Sequence, residues 1–149
     1  MQIETIRSSD DPATIAELVE AFSRLLPQLS SATPPGPADV RDLLESRAVV
    51  LVAREPQTTG RIVATLTLAF YRIPTGLKAW IEDVVVDESL RGRGLGELLT
   101  RRALEIARER GAAHVDLSSR ATREAANRLY QRIGFEPRTT NLYRFDLRK

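Results

Sequence analysis

Apolar residues recur along this chain with two different periods, and the switches between them mark out its elements. Gln2–Arg7 carries Ile3 and Ile6 and suits an edge strand. Asp11-Pro12 offers a cap followed by proline at the first helical position. Ile15, Leu18, Val19, Phe22, Leu25 and Leu26 then repeat at helical spacing until Pro27 ends the run. Ser30–Pro37, rich in proline, reads as a connector or a lid over a substrate, and Ala38–Ser46 as a short second helix with Val40, Leu43 and Leu44. Ala48–Ala53 is a compact apolar run and Arg61–Tyr71 a longer one rich in β-branched residues. Joined by polar Glu55–Gly60, the two predict a hairpin. Arg72–Lys78, with Pro74 and Gly76, reads as a loop, and Trp80–Val86 as a third central strand. Leu95, Leu98, Leu99, Ala103, Ile106 and Ala107 mark a helix over Leu95–Arg110, stopped by Gly111. Ala113–Ser118 reads as a strand. Thr122–Ile133 reads as a helix with Ala125, Ala126, Leu129 and Ile133 on one face and Gly134 as its stop, and Phe135–Arg138 and Leu142–Leu147 as closing strands. The order β-α-α-β-β-β-α-β-α-β-β predicts an α/β fold. Its central mixed sheet should be antiparallel in the N-terminal part, with crossover helices in the C-terminal part and about four flanking helices.

Composition narrows this picture without changing it. The 149 residues are the usual size of one domain, so residues 1–149 are expected to form a single unit. Hydrophobic residues at 42% and charged residues at 28% are ordinary for a soluble chain. No run approaches the roughly 18 apolar residues of a membrane span, and Met1-Gln2-Ile3-Glu4 lacks a signal-peptide pattern. A cytoplasmic protein with no membrane partner is expected. The absence of cysteine excludes disulfides, thiolate metal sites and cysteine nucleophiles. His114 is the single histidine, so a histidine-rich metal centre is excluded and no metal is expected; His114 itself reads as structural or exposed. The arginines are interleaved with acids, and a net charge of +2 argues against a nucleic-acid partner.

One segment carries chemistry. Arg91-Gly92-Arg93-Gly94-Leu95-Gly96 lies between a strand and a helix. Its glycines let the backbone bend tightly and bring N–H groups close to a ligand. The helix start adds partial positive charge, and Arg91 and Arg93 add forked donors suited to phosphate. The segment therefore predicts a diphosphate cradle. It is not a Walker loop, because Glu97 and Leu98 follow the last glycine, and its G-x-G-x-G spacing misses the dinucleotide fingerprint.

Arg91-x-x-Gly94-x-Gly96 does match (Arg/Gln)-x-x-Gly-x-(Gly/Ala), preceded by Ile81-Glu82-Asp83-Val84-Val85-Val86. Farther on, Asn127-Arg128-Leu129-Tyr130 leads to Gly134-Phe135. On these two segments the chain resembles the GCN5-related N-acetyltransferase superfamily, in detail over residues 80–135. The resemblance implies transfer of an acetyl group from acetyl-CoA to a primary amine by direct attack, helped mainly by positioning of the reactants. It implies that the backbone of Val84, Val85 and Val86 holds the pantetheine arm and that Arg91, Gly92, Arg93, Gly94, Leu95 and Gly96 hold the diphosphate. The matching strand usually splays from the next one to admit the cofactor. Asn127 would contact the pantetheine arm, and Tyr130 would protonate the leaving thiolate as general acid. Glu82, directly or through water, would be the base or amine binder, with Asp83 and Trp80 near the substrate. Alternation puts Glu82 on one face with Val84 and Val86 unless a bulge intervenes. For Glu82 and Asp83 the plain alternative is pairing with arginines at the sheet's end, and for Trp80 a place in the core. The string Ile-Glu-Asp-Val-Val-Val resembles the glucosamine-phosphate branch. Asp116-Leu117-Ser118-Ser119, however, has serines where that branch carries an aspartate. The acceptor, a small molecule or a peptide, thus stays open. Its pocket is expected from Leu25–Val40, Arg72–Ala79 and the C-terminal strands. A homodimer is common among similar proteins, and a non-catalytic acyl-CoA sensor is the competing function.

Overall fold

The computed structural model describes residues 2–7, 11–56 and 59–149. Of the expected Glu55–Gly60 turn, Gln57 and Thr58 lie outside them. The chain divides into two compact units, Met1–Ser118 and Ser119–Lys149.

In the first unit the strands are β1 (Ile3–Ile6), β2 (Val49–Glu55), β3 (Arg61–Ile73), β4 (Gly76–Val86) and β5 (Val115–Asp116). They lie side by side in chain order, antiparallel from β1 to β4, with β5 parallel to β4. The helices of this unit are α1 (Pro12–Leu25), α2 (Pro37–Glu45) and α3 (Leu95–Glu109). The expected mixed sheet, antiparallel first and crossing over later, is what forms. Asp11 caps α1 by accepting the Ala13 N–H at 3.1 Å. Pro27 turns the end of α1 into a tight turn, Leu26–Gln28.

Both sheet faces are covered. Val50, Val52, Ile62 and Val85 pack with Ile15, Leu18, Phe22 and Leu25 of α1 and Val40 and Leu44 of α2. The opposite face, including Leu51, Leu66, Leu68 and Ile81, lies under α3, whose buried stripe is Leu95, Leu99, Ala103 and Ile106. Burial on both faces explains why β2 is continuously apolar rather than alternating.

Two expectations for element boundaries fail. Arg72–Lys78 is not a loop: Ile73 pairs with Gly76, so the strands run to a tight hairpin closed by Pro74 and Thr75. Gly76, at φ 131°, takes the backbone angle that tight closure requires, and Pro74 sits beyond the ladder, where its missing N–H costs nothing. The predicted closing strands Phe135–Arg138 and Leu142–Leu147 are irregular. Tyr143, Phe145 and Leu147 do alternate, but a strand needs a partner ladder, and these side chains are 86–88% exposed. The second unit instead centres on α4 (Glu124–Ile133), where Gly134 and Phe135 close the helix by donating their N–H groups to the Tyr130 carbonyl. Among the described residues no helix is long and apolar enough to cross a membrane.

Candidate active site

β4 carries six of the predicted site residues, Trp80 and Glu82–Val86, and its ladder is interrupted there. Thr67 stands opposite Glu82 and Thr65 opposite Val85, so Asp83 and Val84 together oppose Leu66. This is a β-bulge. Asp83 takes it up at φ 49°, the one positive φ outside glycine among the described residues; aspartate is among the side chains that tolerate this angle. Directly opposed residues share a face. Glu82 therefore lies on the face of Thr67 and Val50, and past the bulge it is Val85 that continues this face. The bulge intervenes, and Glu82 does not share a face with Val84 and Val86. Val85 is buried in the α1–α2 core, while Glu82 and Asp83 are exposed at the surface beside it.

The bulged stretch also runs along an open edge. β4 pairs with β5 only at Ala79–Val115 and Trp80–Asp116. Within this unit no described strand lies beside Ile81–Val86 on that side. The Asp87 N–H donates to the Val63 carbonyl at 2.8 Å, so it points at β3. Strand alternation then turns the N–H and C=O groups of Val86 and Val84 toward the open edge, and those of Val85 toward β3. The valine trio thus divides into two residues whose main-chain groups turn away from β3 and one anchoring the core.

The edge leads into the glycine-rich turn. Asp87 Oδ1 accepts the Ser89 N–H at 3.1 Å and its hydroxyl at 2.9 Å, folding Glu88–Leu90 into a single turn. These hydrogen bonds, aided by the charges of Arg61 and Arg24, hold the Asp87 carboxyl below the usual carboxylate range. Gly92 and Gly94 both have φ 82°, and a Cβ at either would meet nothing within 4 Å. Backbone twist, not crowding, demands glycine here, and the space over the turn is free. The α3 ladder starts with Leu98 N–H to Gly94 O at 3.0 Å, so the N–H groups of Leu95, Gly96 and Glu97 precede it. Leu95 buries its side chain and pins the turn. Arg93 is exposed; Arg91 folds back, its Nε donating to the Val86 carbonyl at 3.3 Å.

Two residues of α1 and its terminal turn that sequence reasoning missed hold this segment in place. Arg24 Nη1 donates to the Ile62 carbonyl at 2.9 Å and lies 3.9 Å from Asp87 Oδ2. Gln28 Oε1 accepts the Glu88 N–H at 3.0 Å. No local spacing signals contacts between residues about 60 positions apart in the chain.

In the second unit, Tyr130 is 7% exposed and packs edge-on against Phe135, with ring centroids 5.8 Å apart. Burial pushes its phenol up. Asn127 is half-buried, and its Nδ2 donates to the Arg120 carbonyl at 3.0 Å. Back in the first unit, His114 is exposed and sits 3.5 Å from Asp116, and Trp80 is half-buried beside Asp116 in the ladder.

Residues 15–135 match the model of the Acetyltransferase (GNAT) family. A glucosamine 6-phosphate N-acetyltransferase of Oryza sativa subsp. japonica is 39% identical over 113 residues, spanning 70% of this chain and 68% of that protein. One from Trypanosoma brucei brucei is 37% identical over 101 residues, spanning 66% and 67%. Among solved structures, an acetyltransferase of Trypanosoma brucei superposes with a TM-score of 0.73 at 28% identity, covering 98% of this chain and 99% of that one.

Proposed function

Because the chain belongs to the GNAT acetyltransferase family, we propose that it performs N-acetyl transfer at the bulged, open edge of β4, with residues 1–149 acting as one catalytic domain. The family match over residues 15–135 runs from the first unit into the second and supports that single-domain reading. Enzymes of this family take acetyl-CoA as co-substrate, and the observation that carries the proposal is that the open edge passes straight into the glycine-rich turn. The main-chain groups of Val84 and Val86 would hold the pantetheine arm. The N–H groups of Leu95 and Gly96 at the start of α3, with Arg93 and Arg91, would hold the diphosphate; for Arg91 this requires release from the Val86 carbonyl. The open space over Gly92 and Gly94 fits that use.

Bound there, acetyl-CoA supplies an activated thioester carbonyl to an incoming amine. A lysine-like amine with a pKa of about 10.4 must first lose a proton. Glu82, exposed beside the bulge, would accept that proton directly or through water, or bind the amine as its cation, with Asp83 and Trp80 close by. A leaving thiolate needs a proton back. A thiol has a reference pKa of about 8.5, and the Tyr130 phenol, held above its ordinary range by burial, keeps its proton at neutral pH and can donate it. Asn127 would support the pantetheine arm once its amide leaves the Arg120 carbonyl. The relatives' names make glucosamine 6-phosphate the first amine to test.

The test follows CoA release over a panel of amines that begins with glucosamine 6-phosphate and includes peptides. Turnover is expected on at least one. Tyr130→Phe should cut kcat by about 100-fold or more while leaving the KM for acetyl-CoA nearly unchanged. Glu82→Gln should lower the rate and shift the acid limb of the pH profile. Tight CoA binding without turnover on any amine would replace this reading with that of an acyl-CoA sensor.

A further inference from the structure

The contacts between the end of α1 and the lead-in to the glycine turn form a built support. Gln28 Oε1 accepts the Glu88 N–H, and its Nε2 reaches back to the Arg24 carbonyl at 3.4 Å. Arg24 is fixed in turn: its Nε and Nη2 each donate to the Glu20 carboxylate at 2.9 Å, while Nη1 bonds Ile62 O and faces Asp87. Its side chain is 19% exposed and that of Asp87 11%. From the other side β3 takes the Asp87 N–H through the Val63 carbonyl. The stretch Asp87–Leu90 is therefore clamped between α1 and β3, immediately before Arg91–Gly96.

We propose that Gln28, with Arg24 and Asp87, is a positioning element for diphosphate binding, setting the approach of the glycine turn without touching the ligand. The inference rests on the reading of that turn as the diphosphate site. Glycines at φ 82° leave the turn few constraints of its own. The direction in which its N–H groups converge then depends on where the preceding turn is held. A hydrogen bond to a backbone N–H contributes about 1 kcal/mol, so its loss should cost about fivefold in affinity for a ligand that uses the cradle.

The experiment compares CoA with pantetheine, which keeps the thiol arm and lacks the diphosphate, by calorimetric binding to the whole protein. Wild type should bind CoA much more tightly than pantetheine. Gln28→Met removes the acceptor with little change in volume, and should weaken CoA about fivefold while leaving pantetheine affinity unchanged. Gln28→Ala, the second variant, should lower the same ratio. An equal loss for both ligands, or an unaltered ratio in a folded variant, overturns the proposal. If wild type itself shows no preference for CoA, the diphosphate site is refuted, and that result is distinct from a failure of Gln28 alone.

Discussion

Thr65 is 1% exposed, and its Oγ1 has no hydrogen-bond partner among the described residues. It stands opposite Val85 on the α1–α2 side of β3, directly beside the bulge. A buried hydroxyl without a partner forfeits its hydration. Thr65→Val removes that group at nearly constant volume, so the variant should be as stable as wild type or slightly more so in denaturant unfolding. A loss above about 1 kcal/mol would show that the hydroxyl is in use. At this scale the sequence revealed chemical type better than posture. Tyr130, the glycines and the valine run were all visible in it, because each is defined by a local motif. That Val85 faces the core while Val84 and Val86 present backbone was not, because it depends on a single bulge residue, Asp83, pairing across to β3. Arg24 and Gln28 were hidden for a related reason: their partners lie far along the chain.

Among the elements, β2 and α1 are joined by an ion cluster. The Arg54 guanidinium, 13% exposed, donates to Glu17 at 2.6 and 2.8 Å and to Glu4 at 2.9 Å. The hydrogen bond from Arg54 is the main cause that holds the Glu17 carboxyl below its ordinary range, and Arg54 is raised in return. A carboxylate whose folded pKa lies below its unfolded value adds stability above the unfolded value, about 4.5, and loses it as pH falls through the folded one. Glu17→Gln should therefore melt below wild type at neutral pH, and the gap should close as pH falls from about 4.5 downward. A gap that stayed constant down to pH 2.5 would mean that the pair contributes no charge-dependent stability. Elements with a strong apolar period of their own (α1, α3, β2 and β3) were legible in the sequence. Those that failed were decided by pairing. Arg72–Lys78 looked like a loop because of its proline and glycine, yet both sit where a tight hairpin wants them. Tyr143, Phe145 and Leu147 had the alternation of a strand without a ladder to join.

For the whole molecule, topology was the most legible level, because antiparallel neighbours in chain order followed by one crossover leave few alternatives. Within the first unit, the unpaired side of β4 past Trp80 follows from that topology. A five-strand sheet whose last member pairs for only two residues exposes main-chain groups just where the next helix starts. A ligand that satisfies those groups binds the native state and not the unfolded chain. CoA should consequently stabilise the protein by RT ln(1 + [L]/Kd), about 2.7 kcal/mol at a hundredfold excess over Kd. For a chain of this size that corresponds to a rise in melting temperature of roughly 5–10 °C. Pantetheine at the same multiple of its own Kd should give an equal shift, since linkage depends on saturation alone, but should need a much higher concentration to reach it. Inorganic diphosphate should shift the melt weakly and compete with CoA, because it takes the turn without the edge. A melting temperature indifferent to CoA at millimolar concentration would remove this edge from this fold's functional repertoire, whatever activity the protein then proved to have.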